Sequence, residues 1–240
     1  MFFSIVELSH FQPIQTGDKI EQIITTLRKL IIDGTLEPGS ELPSEREFAQ
    51  QLNVSRYSLR EALRVAQTQG LIELSQGKRP RVKPPSSDAL TEIFGITIQR
   101  SNIRLFDLII ARISLECDIV SMVAKDAGAD LIEELEEITQ TMESHRDDLE
   151  LCAKKDLEFH DALVRRSHNT VFKIMLDSVA YHLSASRRAT LRLTGVDRAL
   201  KGHKNIINAL KQRDQEKARA AMLGHLEMAE DDIMVIEKMG

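Results

Sequence analysis

The sequence predicts a mainly α-helical chain in two parts, and three observations carry this. Apolar residues recur at helical spacing through most of the 240 positions. Aromatic residues make up only 4% and tryptophan is absent, which suits packing by Leu, Ile and Ala and disfavours large β-sandwiches. The periodicity breaks at Pro84-Pro85, where neither a strand nor a helix continues. The expected layout is a first domain over 1–83 with its core at about 12–83, a linker at 84–88, and an all-helical antiparallel bundle over 89–240.

The stretch "DKIEQIITTLRKLIIDG" reads as a helix from about Asp18, with Ile20, Ile23, Ile24, Leu27, Leu30 and Ile31 on one face and Gly34 at its stop. Pro38-Gly39 makes "TLEPGSELP" an extended turn segment. Ser44 caps a second helix, and Glu47 three residues later completes a capping box. After a short turn at Asn53-Val54, Ser55 caps a third helix, which Gly70 ends. "LIEL" and "PRVK" are short strand candidates around a turn at Gln76-Gly77. Three helices followed by a two-stranded wing is the order of a winged helix-turn-helix. Beyond the linker, helices are expected at about 88–99, 103–126, 129–145, 149–167, 170–192, 196–212 and 214–237.

Composition excludes several classes. No run of about 18 apolar residues exists to span a membrane. The N-terminal "MFFSIVELSHFQ" lacks the basic leader and apolar core of a signal peptide. Cys117 and Cys152 both fall in helical apolar patterns, which suits buried thiols in a reducing compartment; the expected location is cytoplasmic.

The net charge is −5, yet residues 51–83 hold seven Lys/Arg against two Asp/Glu, so a polyanion partner is expected for that region alone. The third helix displays Arg56, Tyr57, Ser58 and Arg60 in its first turns. That is where a recognition helix meets guanine edges or phosphates in the major groove. Arg46 on the preceding helix is placed near the DNA backbone or the groove edge, and Lys78, Arg79 and Arg81 on the wing suit phosphate contact. Solvated charges on a small helical domain are the plainer reading.

The stretch "LPSEREFAQQLNVSRYSLREALRVAQTQGLIE" resembles the DNA-binding signature of GntR-type bacterial transcription regulators, over about residues 12–83. The resemblance implies DNA contacts by Arg46, Arg56 and Arg60, together with Ser55 and the wing residue Gly77. One departure stands out: the family wing reads Gly-x-Gly-Thr, whereas this chain has Gly77-Lys78-Arg79-Pro80. The wing's minor-groove contact is thereby weakened, and Lys78 and Arg79 are left to compensate at phosphates.

In the second part, "AKKDLEFHDALV" places Asp156 and His160 four residues apart on an apolar helical stripe. His203 and His225 each lie in a stripe of their own. They belong to two helices that turn near Arg213, ten residues after His203 and eleven before His225 counted from Asp214, so both imidazoles reach about 15 Å above the turn. His145 and His168 sit near helix ends, His10 in the N-terminal tail, and His182 beside a stripe. A lone inward histidine is usually a hydrogen-bonded core residue. Three of them with a carboxylate in one interior point instead to a divalent cation. Nitrogen and carboxylate donors suit zinc, nickel, iron or manganese better than calcium or magnesium. A further inward pair is Arg112 and Glu116: an internal ion pair on the plain reading, an anion-binding arginine on the sharper one.

This half resembles the FCD effector domain of the FadR-like branch of the same family, over about residues 88–235. The resemblance implies a metal, often zinc, at Asp156, His160, His203 and His225. It also implies a small organic acid that ligates the metal, with Arg112 as the effector arginine. With all four positions intact, the metal-free acyl-CoA-binding members of the branch are disfavoured. The expectation is a non-enzymatic, homodimeric transcription regulator, in the repressor mode commoner in the family. It would bind a pseudo-palindromic double-stranded operator and respond to a small carboxylic acid. Two alternatives stay open: a metalloenzyme in which an Asp/His3 cation activates water, and a metal sensor.

Overall fold

The computed structural model describes residues 18–101 and 103–239; His10, the N-terminal dodecapeptide and residues 12–17 of the expected first core lie outside them. Two compact units emerge, one ending at Ala89 and the other beginning at Leu90.

In the first unit α1 (Lys19–Ile32), α2 (Glu45–Gln51) and α3 (Arg56–Thr68) precede β1 (Ile72–Glu73) and β2 (Arg81–Val82). Asp18 caps α1 by accepting from the Ile20 and Glu21 amides. The Ser44/Glu47 capping box and the Ser55 cap both form. Asn53 takes the left-handed conformation (φ 54°) between α2 and α3, where a short polar side chain is tolerated and a branched one is not. Leu27, Phe48, Leu59, Leu63 and Val82 meet in one core.

β1 and β2 pair antiparallel, Ile72 opposite Val82 and Glu73 opposite Arg81. The segment read from sequence as a turn contributes more than that: Glu41 bridges Arg81, and the Leu42 amide donates to the Pro80 carbonyl. A third extended segment therefore edges the wing. Pro80 is buried there, so its ring fits because its carbonyl and not an amide is needed.

The second unit contains α4 (Asp88–Ser101) apart from its first two residues, then α5 (Leu105–Lys125), α6 (Ala129–Ser144), α7 (Leu149–Arg166), α8 (Thr170–Thr194), α9 (Asp197–Lys211) and α10 (Gln215–Met239). α10 packs mainly along α5 and α9, while α7 lies between α6 and α8. A continuous core from Leu108 to Ile233 fills the bundle, with a smaller cluster around Met142, Cys152 and Leu200. Cys117 and Cys152 are buried free thiols. No described helix is long and apolar enough to cross a membrane.

Candidate metal centre and DNA interface

Asp156, His160, His203 and His225 come from α7, α9 and α10 and meet inside the bundle. One ligand atom from each lies within 4.8 Å of all the others. Asp156 and His203 are fully buried, His160 and His225 nearly so. The α9–α10 hairpin brings the His203 and His225 ring centroids to 5.0 Å. Phe159 stacks on His203 at 3.8 Å and fixes that ring's plane. Gly202 makes room for His225: a Cβ there would sit 2.3 Å from its Nδ1.

Each of the four has a partner that orients it, or none at all. His160 Nδ1 bonds to Glu116, and this fixes its tautomer so that the Nε2 lone pair faces inward. His160 Nε2 lies 3.2 Å from His225 Nε2, a contact that only a proton on one of them makes tolerable. His203 Nε2 approaches Asp156 Oδ1 at 3.2 Å without the alignment of a hydrogen bond, and neither His203 nitrogen nor His225 Nδ1 has a partner among the described residues. Burial lowers the affinity of His203 for a proton, and lowers that of His225 much further, with the neighbouring imidazoles and Arg187 adding to the latter. Both rings are thereby kept neutral. A donor set of neutral inward nitrogens, orphaned atoms and one carboxylate suits a divalent transition cation. Such an ion supplies positive charge and an open coordination position for an anion.

Two arginines complete the cluster. Arg112, buried on α5, donates from Nε to Glu116 at 2.5 Å, while its Nη2 has no partner among the described residues. The internal ion pair of the plainer sequence reading forms, and Nη2 is left outside it. Burial by itself would raise the Glu116 carboxyl; Arg112 and His160 outweigh that and hold it at about 2. A cavity of about 200 Å³ is bordered by Arg112, Glu116 and His160. Arg187 on α8 was not foreseen. It grips Asp156 through Nε at 2.6 Å and through Nη2 as well. Burial would raise the Asp156 carboxyl, but the Arg187 guanidinium outweighs it and holds the carboxyl well below its usual range. His182 takes no part in the cluster; it meets Phe94 edge to face, packs on Gly95 and bonds the Thr91 carbonyl at 3.2 Å. His145 and His168 are exposed.

In the first unit Arg46, Arg56 and Tyr57 are exposed, Tyr57 at 73%. The side chains of Arg46, Arg56 and Lys78 carry no hydrogen bond or ion pair to a described residue. Ser55 accepts from the Ser58 amide at 3.0 Å and the two hydroxyls lie 2.8 Å apart, so both serve the cap of α3. Gly77 forms the exposed wing turn at φ 73°. Three other cations are held internally: Arg60 by Glu45 at 2.6 Å, Arg79 by Glu47 at 3.7 Å and Arg81 by Glu41 at 2.9 Å.

Residues 19–82 match the description "Bacterial regulatory proteins, gntR family", and residues 107–228 match "FCD domain". The chain belongs to the GntR family. It is similar to the HTH-type transcriptional regulator LutR of Bacillus subtilis, 30% identical over 208 residues that cover 84% of this chain and 95% of LutR. It is also similar to the HTH-type transcriptional repressor NanR of Salmonella newport, 29% identical over 90% of this chain and 85% of that one. Among solved structures it resembles a Streptococcus agalactiae GntR protein (TM-score 0.64, 27% identity), which covers 88% of this chain and 99% of its own. These relatives are regulators, and this GntR protein is a DNA-binding transcription regulator, not an enzyme.

The Glu45 contact sharpens one expectation for this GntR helix. If Arg60 reads a base edge bidentately, Arg60→Ala costs about 1–3 kcal/mol on operator and little on random duplex. Because the pair with Glu45 is exposed, giving it up costs little beforehand. Binding isotherms on both duplexes measure this; equal affinity of variant and wild type for operator would remove Arg60 from the interface.

Proposed function

We propose that the protein is a cytoplasmic, homodimeric repressor that binds a pseudo-palindromic operator through Arg46, Arg56, Arg60, Tyr57 and Ser58, with Ser55, Gly77, Lys78 and Arg79 steadying the helix and wing. Zinc or a related transition ion is held by Asp156, His160, His203 and His225. A small carboxylate, bound beside it at Arg112, changes operator affinity. The linker at 84–88 separates the two functional domains.

The observation that carries the effector reading is the buried Nη2 of Arg112, without a partner among the described residues, at a cavity bordered also by His160. A buried guanidinium edge without an acceptor is costly, and a bidentate carboxylate satisfies it. A site meant for metal alone would use Arg112 only to hold Glu116 and would leave Nη2 without a role, which makes the metal-sensor reading weaker. Regulation follows only if the acid binds the two states of the protein unequally.

The test uses an operator selected from random duplexes, bound by the full chain with metal retained or stripped by chelator. Short carboxylic acids are expected to release the duplex from metal-loaded protein, at concentrations that leave the stripped protein unaffected. Operator binding indifferent to every acid in both forms would refute the effector role.

A further inference from the structure

The cavity has two chemically different ends. Its inner end is the Arg112–Glu116 pair, whose side chains are each 4% exposed. Its outer end presents Asp161 and Asp177, whose side chains are 39% and 29% exposed. Leu157, Val164, Leu176 and Ala180 make the wall. Lys173, which does not line the cavity, clamps the outer pair: its Nζ lies 3.0 Å from Asp161 Oδ1 and 3.0 Å from Asp177 Oδ1. Arg165 also reaches Asp161 at 2.8 Å, but it is shared with Glu134 at 2.6 Å. Three carboxylates, Asp161, Asp177 and Glu134, share the two cations Lys173 and Arg165, so these five groups together carry a net negative charge.

We infer that Asp161 and Asp177 read the far end of the ligand, so that the cavity selects a short monocarboxylate whose other end donates a hydrogen bond and disfavours a second carboxylate. This rests on the effector reading and specifies its chemical class. An ionised carboxylate accepts up to about four hydrogen bonds, so clamped aspartates still have lone pairs for a hydroxyl or ammonium. A second carboxylate offers no donor and meets like charge. The size agrees: a 150 Å³ cavity holds about a benzene, and a cavity of about 200 Å³ holds a four-carbon acid.

Isothermal titration of the zinc-loaded full chain with butanoate, 4-hydroxybutanoate and succinate tests this. Wild type is expected to bind 4-hydroxybutanoate tightest and succinate weakest, separated by roughly tenfold or more, since like-charge contacts cost several-fold even when partly solvated. The isosteric double variant Asp161→Asn/Asp177→Asn should close most of that gap by tightening succinate, whereas Lys173→Met should widen it. Arg112→Ala should weaken all three acids alike. Equal wild-type affinity for succinate and 4-hydroxybutanoate, or a ratio unmoved by either rim change, overturns the rim assignment while Arg112-dependent binding leaves the effector site standing. If none of the three acids binds at millimolar concentration, the effector site and the rim reading fall together.

Discussion

Asp156→Ala is expected to destabilise the protein by about 3–5 kcal/mol even without metal, the usual consequence of removing one partner of a buried ion pair. Asp156 is fully buried and holds Arg187, which is itself only 8% exposed. Without the carboxylate, the guanidinium stays inside with no counter-ion and the imidazoles of His203 and His225 nearby. In a domain of this size each kcal/mol is worth roughly 2–4 °C, so the melting temperature should fall by roughly 6–20 °C. Elemental analysis should show the same variant depleted of metal, because the cluster has lost its one anionic donor. The double variant Asp156→Leu/Arg187→Met separates the two roles. Removing both charges should restore much of the stability, as it often does for buried pairs, without restoring metal. If Asp156→Ala retains full metal, the carboxylate is only the anchor of Arg187 and the metal assignment fails. If the double variant is no more stable than the single one, the pair is not the source of the loss.

Most of this architecture was legible in the sequence because its signals are local. Helix periods, Ser44, Glu47 and Ser55 caps and the Gly70 stop depend on residues within one or two turns of each other, and they fold as read. The gathering of Asp156, His160, His203 and His225 was legible because three inward stripes share one bundle and a hairpin fixes relative height. What stayed hidden depends on contacts between elements far apart in the chain. Arg187 lies 31 residues from Asp156, and nothing local tells it from its neighbour Arg188, which pairs outward with Glu150. Its helical register with Leu176, Val179 and Leu191 was the available clue, since these three are buried. The bond between Glu116 and His160 spans 44 residues, and the rim joins α7 to α8. The edge at Glu41 went unread because a segment that pairs through so few residues leaves no alternating pattern.

Arg112 carries the second large expected effect, and the structure changes how it must be tested. From sequence alone, Arg112→Ala should weaken the effector and spare the metal. In the structure the arginine bonds Glu116, and Glu116 bonds His160, so arginine, carboxylate and imidazole form one chain. Truncation to Ala leaves the Glu116 carboxylate buried against His160 alone. The effector should then bind more weakly by roughly 1.5–3 kcal/mol, the scale of a hydrogen bond to a charged group. Metal affinity should fall too, by about 10–100-fold, as when the outer partner of a ligating histidine is lost. Arg112→Lys is the cleaner probe. It keeps a cation beside Glu116 and so should keep the metal, but it gives up the planar fork that meets a carboxylate with two parallel bonds. Acid titration of the operator complex should therefore need about tenfold more acid for Arg112→Lys than for wild type, at unchanged metal content. Release of operator by wild type and Arg112→Lys at the same acid concentration would show that the free guanidinium edge does not face the effector. Loss of metal in Arg112→Lys would show instead that the arginine serves the ligand shell through Glu116, and that the acid must be read by another residue of the cavity.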